Sequence, residues 1–405
     1  MGISLLHLLG RLCATAQPPA APATLRLGFS GSAIERATLQ DHLARYTGGP
    51  VALVEWRWPD GSATLPPAAP PDVFLLDAQW VAEAAPHVLP RPDLEAAAFH
   101  PTAWQAVQAD GQTMAAPWTC LVSVLFVNRA ALDRVQRPLP AHWTWPEFLA
   151  RARQLTVRAT DGSVTQWGYM ALSDQYSEDA EWIELAGGAW GPNMYFHPAT
   201  VDAGAEAMRF VSDLSYVHQV APTAAQWRSD YLDRRTHPDF RHTPYFADGH
   251  FGLFKGRTWH LNELNRLDMP EGWDMAPLPA HRRAGGGVQV LALAISRACA
   301  QPAAARALVD YLLPLPERGV PALLDPDVRA RFVKHYELEQ KNYAILFAAL
   351  DHGRLHLREA RDPRLSDPKY RTRPWHLKKQ PWTDAVDAEY RATIEAFGLN
   401  APPQD

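Results

Sequence analysis

The sequence is poor in cysteine and has no excess of positive charge. It contains 3 cysteines in 405 residues, and none has the C-x-x-C spacing of a zinc or thioredoxin-type site. The 39 Lys and Arg are outnumbered by 44 Asp and Glu, which leaves no basic surplus for binding phosphates. The composition therefore predicts no metal site and no nucleic-acid partner. Cys120 and Cys299 could form a disulfide in an oxidising compartment.

Several enzyme signatures and any long hydrophobic segment are also missing. The sequence has no G-x-S-x-G, Walker A, G-x-G-x-x-G or H-E-x-x-H motif. No stretch reaches the roughly 18 uninterrupted apolar residues that a membrane-spanning helix needs. We therefore expect a soluble mature protein that carries no cofactor.

The N-terminal residues 1–23 are similar to a weak export signal followed by a linker. A short apolar run is followed by Ala14-Thr15-Ala16, which has the A-x-A form of a signal-peptidase site, although no basic residue precedes the run. Residues 17–23 are rich in Pro and Ala, which is typical of an extended linker. The expected location is periplasmic or otherwise extracytoplasmic, and lipidation at Cys13 would add a membrane tether.

The length and the hydrophobic content predict two domains. A chain of 405 residues exceeds what one hydrophobic core usually organises, and its 47% of hydrophobic residues can bury a large core. The 15 Trp are unusually many, and an indole offers a flat face and one N–H donor that suit ligand stacking as well as core filling.

The first part of the chain alternates between strand and helix patterns. Residues 25–29 alternate in hydrophobicity, which is typical of a strand. Ser32 and Glu35 have the spacing of a capping box that opens a helix. Residues 51–56 and the mostly apolar residues 72–77 predict two more strands. This alternation indicates an α/β layer.

Longer patterns follow in the rest of the chain. Residues 117–129 form an apolar run rich in β-branched side chains, and residues 288–295 form another, so both predict strands. Residues 144–147 form a second capping box with Pro in the first turn. The spacing of apolar residues predicts amphipathic helices over 200–218 and 302–313.

Six short segments occur in an order that is informative as a set. They are Asp72–Trp80, Pro117–Arg129, Trp143–Leu149, Ala186–Leu214, Phe246–Trp259 and Gly285–Ala305. The first resembles a "P-D-V-hydrophobic-D-x-x-W" strand end and the fifth an "F-x-x-G…G-x-W" pattern. Together they resemble the extracellular solute-binding protein family 1, the group that includes maltose-binding protein.

The resemblance implies an α/β fold of the periplasmic binding protein-like type II. Two α/β lobes are joined by crossing hinge strands, near residues 118–122 and 284–290, and the ligand binds in the cleft between the lobes. The implied boundaries are 1–23 for the signal and linker, 24–120 plus 288–345 for lobe 1, and 121–287 plus 346–405 for lobe 2.

The resemblance also implies a function that involves no catalysis. A protein of this family captures a small solute by hinge closure and delivers it to the membrane permease of an ABC importer. We expect the ligand to be a mono- or oligosaccharide and the protein to act as a monomer.

Binding a sugar requires flat aromatic faces and fixed polar groups. Each hydroxyl that leaves water without a new partner costs about 1–3 kcal/mol. Such groups sit at the carboxyl ends of strands and at helix N-termini, and the resemblance adds a stacking Trp at the family's position. The candidate ligand-binding residues are Ser30, Asp77, Trp80, Trp118, Tyr176, Glu178, Trp190, Trp259 and Gly286.

Most of these candidates also have a structural interpretation. Asp77 suits a helix N-cap, Trp80 suits packing under that helix, Trp118 suits packing at the hinge, and Ser30 suits an ordinary turn. Arg257 departs from the family pattern, and a guanidinium beside the ligand would favour an acidic sugar.

Two alternative functions stay open at this point. One is a glycoside hydrolase in which Asp77 and Glu178 act as paired carboxylates. The other is a receptor for a cationic osmolyte, bound by several Trp through cation–π contacts.

Overall fold

The computed structural model of the protein describes most of the chain. The described residues are 24–58, 70–138, 140–171, 177–188, 200–232, 242–267, 269, 272–355 and 377–396.

The described strands are short except for one. They are β1 (Leu25–Phe29), β2 (Val51–Glu55), β3 (Val73–Asp77), β4 (Gln108–Ala109), β5 (Gln112–Thr113), β6 (Ala116–Asn128), β7 (Val157–Arg158), β8 (Val164–Met170), β9 (Phe251–Arg257), β10 (Trp273–Ala276), β11 (Gly287–Ile295), β12 (Val320–Pro321) and β13 (Arg354–Leu355).

The described α-helices flank these strands. They are α1 (Ala33–Leu43), α2 (Val81–Ala84), α3 (Pro101–Ala106), α4 (Arg129–Arg134), α5 (Trp145–Leu155), α6 (Ser177–Leu185), α7 (Val201–Tyr216), α8 (Ala224–Gln226), α9 (Thr243–Ala247), α10 (His260–Leu264), α11 (Pro302–Leu312), α12 (Pro326–His335), α13 (Ala344–His352) and α14 (Asp384–Ala396).

The predicted elements are confirmed with small shifts at their ends. Strands β1, β2, β3, β6 and β11 all lie where the sequence patterns place them. Both capping boxes form: the Ser32 side chain accepts from the backbone N–H of Glu35, and Glu147 closes the box at Thr144. These local signals are strong because each satisfies helix N–H groups that have no partner within the helix.

One mixed sheet runs through the described part of the molecule. Its strand order is β2-β1-β3-β11-β6-β9-β8-β7, while β10 and β12 pair with β6 and β13 pairs with β11. β1 is parallel to β2 and β3, and β8 is parallel to β9, whereas β11 is antiparallel to both β3 and β6.

Strand β6 connects the two lobes, because it changes partners along its length. Residues 116–122 pair with β11, and residues 123–127 pair with β9. All 13 of its residues are buried. We call the β2-β1-β3-β11 side the first lobe and the β9-β8-β7 side the second lobe. The change of partner between Val122 and Ser123 lies at the end of the predicted 118–122 crossing.

Two hydrophobic clusters lie against this sheet. Side chains alternate between the faces of a strand, so Phe126 of β6 joins the larger cluster while Leu125 and Val127 join the smaller one. The smaller cluster contains aromatic rings from α5, β8 and α6, with Phe148 at 5.1 Å from Tyr169 and 5.5 Å from Trp182. The second lobe therefore has its own aromatic core.

The C-terminal helices divide between the lobes in a way that differs from the predicted boundaries. The boundary at residue 345 assigned α13 to the second lobe. In the structure Phe347 of α13 lies 6.1 Å from Phe332 of α12, and Asp351 pairs with His100 of the first lobe at 3.1 Å. Helix α14 packs against α7 of the second lobe. We place α13 with the first lobe.

Three expected properties concern cysteine, metal and membrane. Cys120 and Cys299 are free and buried, so the conceivable disulfide between them is not formed. Within the described ranges no cluster of His, Cys, Asp or Glu has the arrangement of a metal site. None of the helices in these ranges is long and apolar enough to cross a membrane.

Gly168 of β8 lies where α5 packs closely on this strand. A Cβ at this position would lie 1.8 Å from the carbonyl oxygen of Ala152, a backbone atom of α5. We expect Gly168→Ala to lower the free energy of unfolding by about 1–3 kcal/mol, because α5 must shift away from the sheet. Urea unfolding followed by circular dichroism measures the change.

Gly111 provides the matched control. Nothing lies within 4 Å of a Cβ there, so Gly111→Asn causes no clash; its φ of +72° should cost only about 1 kcal/mol or less, because Asn tolerates this conformation. Equal stability of the Gly168→Ala variant and the wild type would show that α5 does not pack on β8 as described.

Candidate functional site

A cavity of about 660 Å³ opens over the sheet where β6 changes partners. Pockets that bind small molecules typically measure about 300–1,000 Å³, so the size is suitable for one. The lining residues are Ser30, Gly31, Ser32, Ala33, Ile34, Glu35, Leu121, Trp259, Asn262, Glu263, Gln289, Leu291 and Arg318. We call this cavity the cleft.

The floor of the cleft is apolar except for one amide. Leu121 of β6 lies opposite Gln289 of β11 in the strand pairing, so both side chains project from the same face. Leu291 lies two residues further along β11 and therefore shares this face. Both leucines are buried and Gln289 is half-buried. The floor therefore presents a single polar side chain to the cavity.

The two walls come from different lobes. The β1–α1 loop, residues 30–32, and the first turn of α1 form one wall, and Trp259, Asn262 and Glu263 after β9 form the other. A molecule in the cleft would touch both lobes at once. This position explains how binding and closure of the lobes can be coupled.

Trp259 is held in place by two neighbours. Its indole Nε1 donates to His260 Nε2 at 3.3 Å, and the guanidinium carbon of Arg257 lies 5.5 Å from its ring centroid. Burial lowers the pKa of His260 to about 3, so the imidazole is neutral and can accept this hydrogen bond. Trp259 is half-buried, which leaves part of the ring open to the cleft.

Arg318 orders the opposite wall. Its guanidinium donates to Glu35 Oε2 at 3.0 Å and to the carbonyl oxygen of Ser30, and it lies 4.6 Å from the ring of Phe29. Gly31 is required beside it, because a Cβ there would lie 1.9 Å from Arg318 Nη2. The β1–α1 loop is therefore fixed by contacts made outside the loop itself.

A buried ionic cluster lies next to the floor, on the side of the second lobe. The carboxylate of Glu181, fully buried on α6, accepts from Ser123 Oγ at 2.7 Å, Lys255 Nζ at 2.9 Å and Arg257 Nη2 at 3.0 Å. Removing one partner of such a buried set leaves an uncompensated charge, which costs about 3–5 kcal/mol. Arg257 and Lys255 therefore have a structural partner within the protein.

The ionic cluster continues to Asp77 through the floor amide. Arg257 Nη1 donates to Gln289 Oε1 at 2.8 Å, and Gln289 Nε2 donates to Asp77 Oδ2. Asp77 also accepts from the backbone N–H and side-chain amide of Gln79, at 3.2 and 2.6 Å. Burial raises the pKa of Asp77, while the bonds from Gln79 and Gln289 oppose that shift. The result is one hydrogen-bonded chain from β3 to α6.

Two acidic groups near the cleft have strongly raised pKa values. Burial raises the pKa of Glu263 to about 7 and that of Glu317 to about 8, and the negative charge of Glu35 adds to both shifts. Glu317 is only 2% exposed, and neither of its carboxylate oxygens has a hydrogen-bond partner among the described residues. The protein therefore favours the protonated form of Glu317.

Two of the sequence candidates line the cleft. Ser30 lies in the β1–α1 loop and Trp259 follows β9, so the fold brings together two positions that are over 200 residues apart in the chain. Their contact with a ligand stays a prediction. Asp77 does not line the cleft; it caps the short 3-10 helix at Ala78–Trp80 and bonds to Gln289, which does line it.

Two tryptophan candidates require correction. Trp118 is 2% exposed, and its indole N–H donates to the carbonyl oxygen of Leu312 at 2.9 Å. Trp80 is also buried in the larger hydrophobic cluster. Both positions follow the family pattern, but their rings fill the core of the first lobe and are not available to a ligand. The structural interpretation given for them from the sequence is the correct one.

Of the four remaining candidates, the structure describes Gly286 but not the side chains of the other three. Gly286 is buried beside the ionic cluster, where a Cβ would lie 2.8 Å from Leu278 and 3.6 Å from Glu181. Its lack of a side chain serves close packing. Tyr176, Trp190 and the side chain of Glu178 lie outside the described residues.

The expectation for Arg257 is also corrected. Arg257 is only 8% exposed, does not line the cleft and is bonded to Glu181 and Gln289. The sequence analysis missed Gln289, Asn262 and Glu263 as lining residues. A signal was present for Gln289, which is the one polar residue in the otherwise apolar strand Gly287–Ile295.

Another cavity, of about 560 Å³, lies on the second lobe among β7, β8 and the end of α7. Arg158, Trp167, Tyr216 and Tyr231 line it. Its lining includes none of the sequence candidates that the structure describes, and it touches only one lobe. The cleft is therefore the better candidate site.

Comparisons with known proteins agree with the fold described above. The sequence pattern of the bacterial extracellular solute-binding proteins matches residues 44–318. A comparison with curated protein sequences finds no significant match. The fold is similar to that of UspC from M. tuberculosis, with a TM-score of 0.69 and 18% identity over 92% of this chain and 100% of the other.

Two further solved structures have the same fold. The ABC substrate-binding protein Lmo0181 from Listeria monocytogenes, in complex with cycloalternan, gives a TM-score of 0.67 at 14% identity over 93% of this chain and 98% of the other. Maltose-bound MalE3 from T. maritima gives 0.65 at 16% identity over 92% and 99%. These likenesses confirm the predicted type II periplasmic binding protein fold.

Glu317 makes stability depend on pH. Its pKa is raised from 4.5 to about 8, so above pH 4.5 the unfolded chain releases this proton while the folded chain retains it. The wild type therefore loses stability as the pH rises from about 4.5 to 8, by a few kcal/mol from this group. Glu317→Gln should remove this loss, so its stability relative to the wild type should be higher at pH 9 than at pH 4.

Urea unfolding at pH 4, 6, 8 and 9 measures this effect. Glu339→Gln, at an exposed position, is the control for losing one negative charge. Parallel pH profiles for Glu317→Gln and the wild type would contradict the raised pKa.

Proposed function

This chain belongs to the family of bacterial extracellular solute-binding proteins, and we propose that it captures a small carbohydrate in the cleft for an ABC importer. The observation that carries the proposal is the composition of the cleft. An indole face, an apolar floor and several amide and hydroxyl groups surround one cavity that both lobes line. This combination suits the C–H faces and the hydroxyls of a sugar ring.

The structural relatives support a sugar as the class of ligand. Lmo0181 was solved with cycloalternan and MalE3 with maltose, and a solute-binding protein from Thermotoga lettingae was solved with α-D-tagatose. These sugars differ in size, so they indicate a class and not a particular compound.

The charges around the cleft favour a neutral sugar over an acidic one. Arg257 is paired with Glu181, and Arg318 is paired with Glu35. The lining adds another acidic residue, Glu263. An acidic sugar would bring a negative charge to a cavity whose arginines already have partners, and desolvating it there would be costly.

The two alternative functions lose support. In a hydrolase, Asp77 would have to reach the substrate, but it does not line the cleft and accepts hydrogen bonds from Gln289 and Gln79. An aromatic cage needs several rings, and among the described lining residues Trp259 is the aromatic one. We therefore propose a binding protein without catalytic activity.

The proposed cycle follows from the connection between the lobes. The sugar enters an open cleft, the lobes close on it by bending at β6 and β11, and the closed form docks to a membrane permease. The protein acts outside the cytoplasm as a monomer. The proposed lobe boundaries remain those predicted, with α13 moved to the first lobe.

Sugar binding is directly measurable. At a Kd of about 1 μM, a ligand at 100 times this concentration should stabilise the folded protein by about 2.7 kcal/mol. Thermal-shift assays with glucose, maltose, maltotriose and D-tagatose should give a rise in Tm with at least one sugar, and calorimetry should confirm the binding. No rise with any of these sugars would contradict the proposal, and a rise with an organic cation such as betaine would favour a receptor for a cationic osmolyte instead.

Two tryptophans separate binding from stability. Trp259→Ala should weaken sugar affinity about tenfold or more with little change in Tm, because the lost contact is with the ligand. Trp118→Ala should lower stability by about 3–5 kcal/mol, because it opens a core cavity. Calorimetry measures the sugar affinity of both variants, and thermal denaturation measures their stability. A large loss of Tm in Trp259→Ala with unchanged affinity would place that ring in the core.

A further inference from the structure

We propose that Gln289 determines which hydroxyl pattern the cleft accepts, through a side-chain amide whose orientation is set by Arg257. The inference rests on the proposed function and names one residue that reads the ligand. Gln289 was not among the sequence candidates, and it is the polar side chain among the floor residues that line the cleft.

Arg257 decides which way the amide faces. A guanidinium can only donate hydrogen bonds, so the atom of Gln289 that lies 2.8 Å from Arg257 Nη1 must be the carbonyl oxygen Oε1. The amino group Nε2 then faces Asp77, which accepts from it. Turning the amide over would place Nε2 against the guanidinium and Oε1 against the carboxyl group.

Arg257 is in turn fixed by Glu181. The buried carboxylate of Glu181 holds Arg257 at 3.0 Å and Lys255 at 2.9 Å, and it also accepts from Ser123. The pairing of β6 with β9 places Ser123 directly opposite Arg257. The orientation of the floor amide is therefore determined by groups from three strands and one helix.

The two bonds to the protein leave part of the amide for a ligand. An amide carries two N–H donors and an oxygen with two lone pairs. Gln289 uses one donor on Asp77 and one lone pair on Arg257, so one donor and one lone pair remain. A sugar presents neighbouring hydroxyls that each donate and accept, so this fixed donor and acceptor can meet two of them.

A fixed amide discriminates more strongly than a mobile one. A free glutamine side chain loses rotamer freedom when it binds, and it can turn to suit different partners. Because Gln289 is already held, it gains binding energy from a ligand with the matching hydroxyls. When the ligand lacks those hydroxyls, a polar group of the amide is left unpaired.

The test compares two glutamines that bond to the same carboxyl group. Gln289→Met and Gln79→Met each remove an amide that donates to Asp77, but only Gln289 lines the cleft. Calorimetry with maltose should show at least a tenfold loss of affinity for Gln289→Met and less than a threefold loss for Gln79→Met. If both variants lose the same factor, or neither loses any, the proposal is wrong.

A cycle with deoxygenated sugars identifies the hydroxyl that is read. One of the monodeoxy derivatives of maltose should bind to the wild type at least fivefold more weakly than maltose does. The same derivative and maltose should bind to Gln289→Met with equal affinity. A merely structural role for Gln289 would instead lower the affinity for every analogue by the same factor. Gln289→Leu also has no hydrogen-bonding group in its side chain, and it replaces Gln289→Met in the cycle if that variant does not fold.

The outcomes distinguish this inference from the proposed function. If the wild type binds none of the four panel sugars, the proposed function fails and the inference fails with it. If the wild type binds another panel sugar and not maltose, the same cycle is run with the monodeoxy derivatives of that sugar. If the wild type binds and the two glutamine variants behave alike, only the role of Gln289 is overturned.

Discussion

The buried carboxylate of Glu181 is the group around which the cleft is organised. Two cations, Lys255 and Arg257, lie at the end of β9 and are almost fully buried, which is costly without a partner. Glu181 accepts hydrogen bonds from both of them and from Ser123 on β6. Because these groups come from α6, β9 and β6, one charge fixes the position of the second lobe against the strand that joins the lobes.

This arrangement also determines the character of the site. Arginine side chains near a cavity usually indicate an anionic ligand, but here the guanidiniums of Arg257 and Arg318 have carboxylate partners of their own. Their function is to hold other groups: Arg257 holds Gln289, and Arg318 holds the loop at Ser30. The amide of Gln289 and the loop at Ser30 are consequently held in fixed orientations, which supports the proposed sugar ligand.

Much of the fold could be predicted because its signals are local. The capping boxes at Ser32 and Thr144 and the apolar strands β3, β6 and β11 are each decided by residues within about ten positions of one another. The site was harder to predict. Trp118 lies within β6 and Trp259 follows β9, and both match a family pattern, yet one fills the core and the other lines the cleft. Which face a ring occupies depends on strand pairing, and the sequence does not state that pairing.

The sequence by itself determined the α/β class, the longest strand β6 and several other strands and helices, the family and two lining residues. It could do so because hydrophobic periodicity and capping act over short distances. Only the tertiary structure decided that Arg257 bonds to Glu181, that Asp77 bonds to Gln289, and that α13 packs with the first lobe. Each of these depends on contacts between residues that are distant in the chain, and burial of a charge has a meaning only once its partner is known.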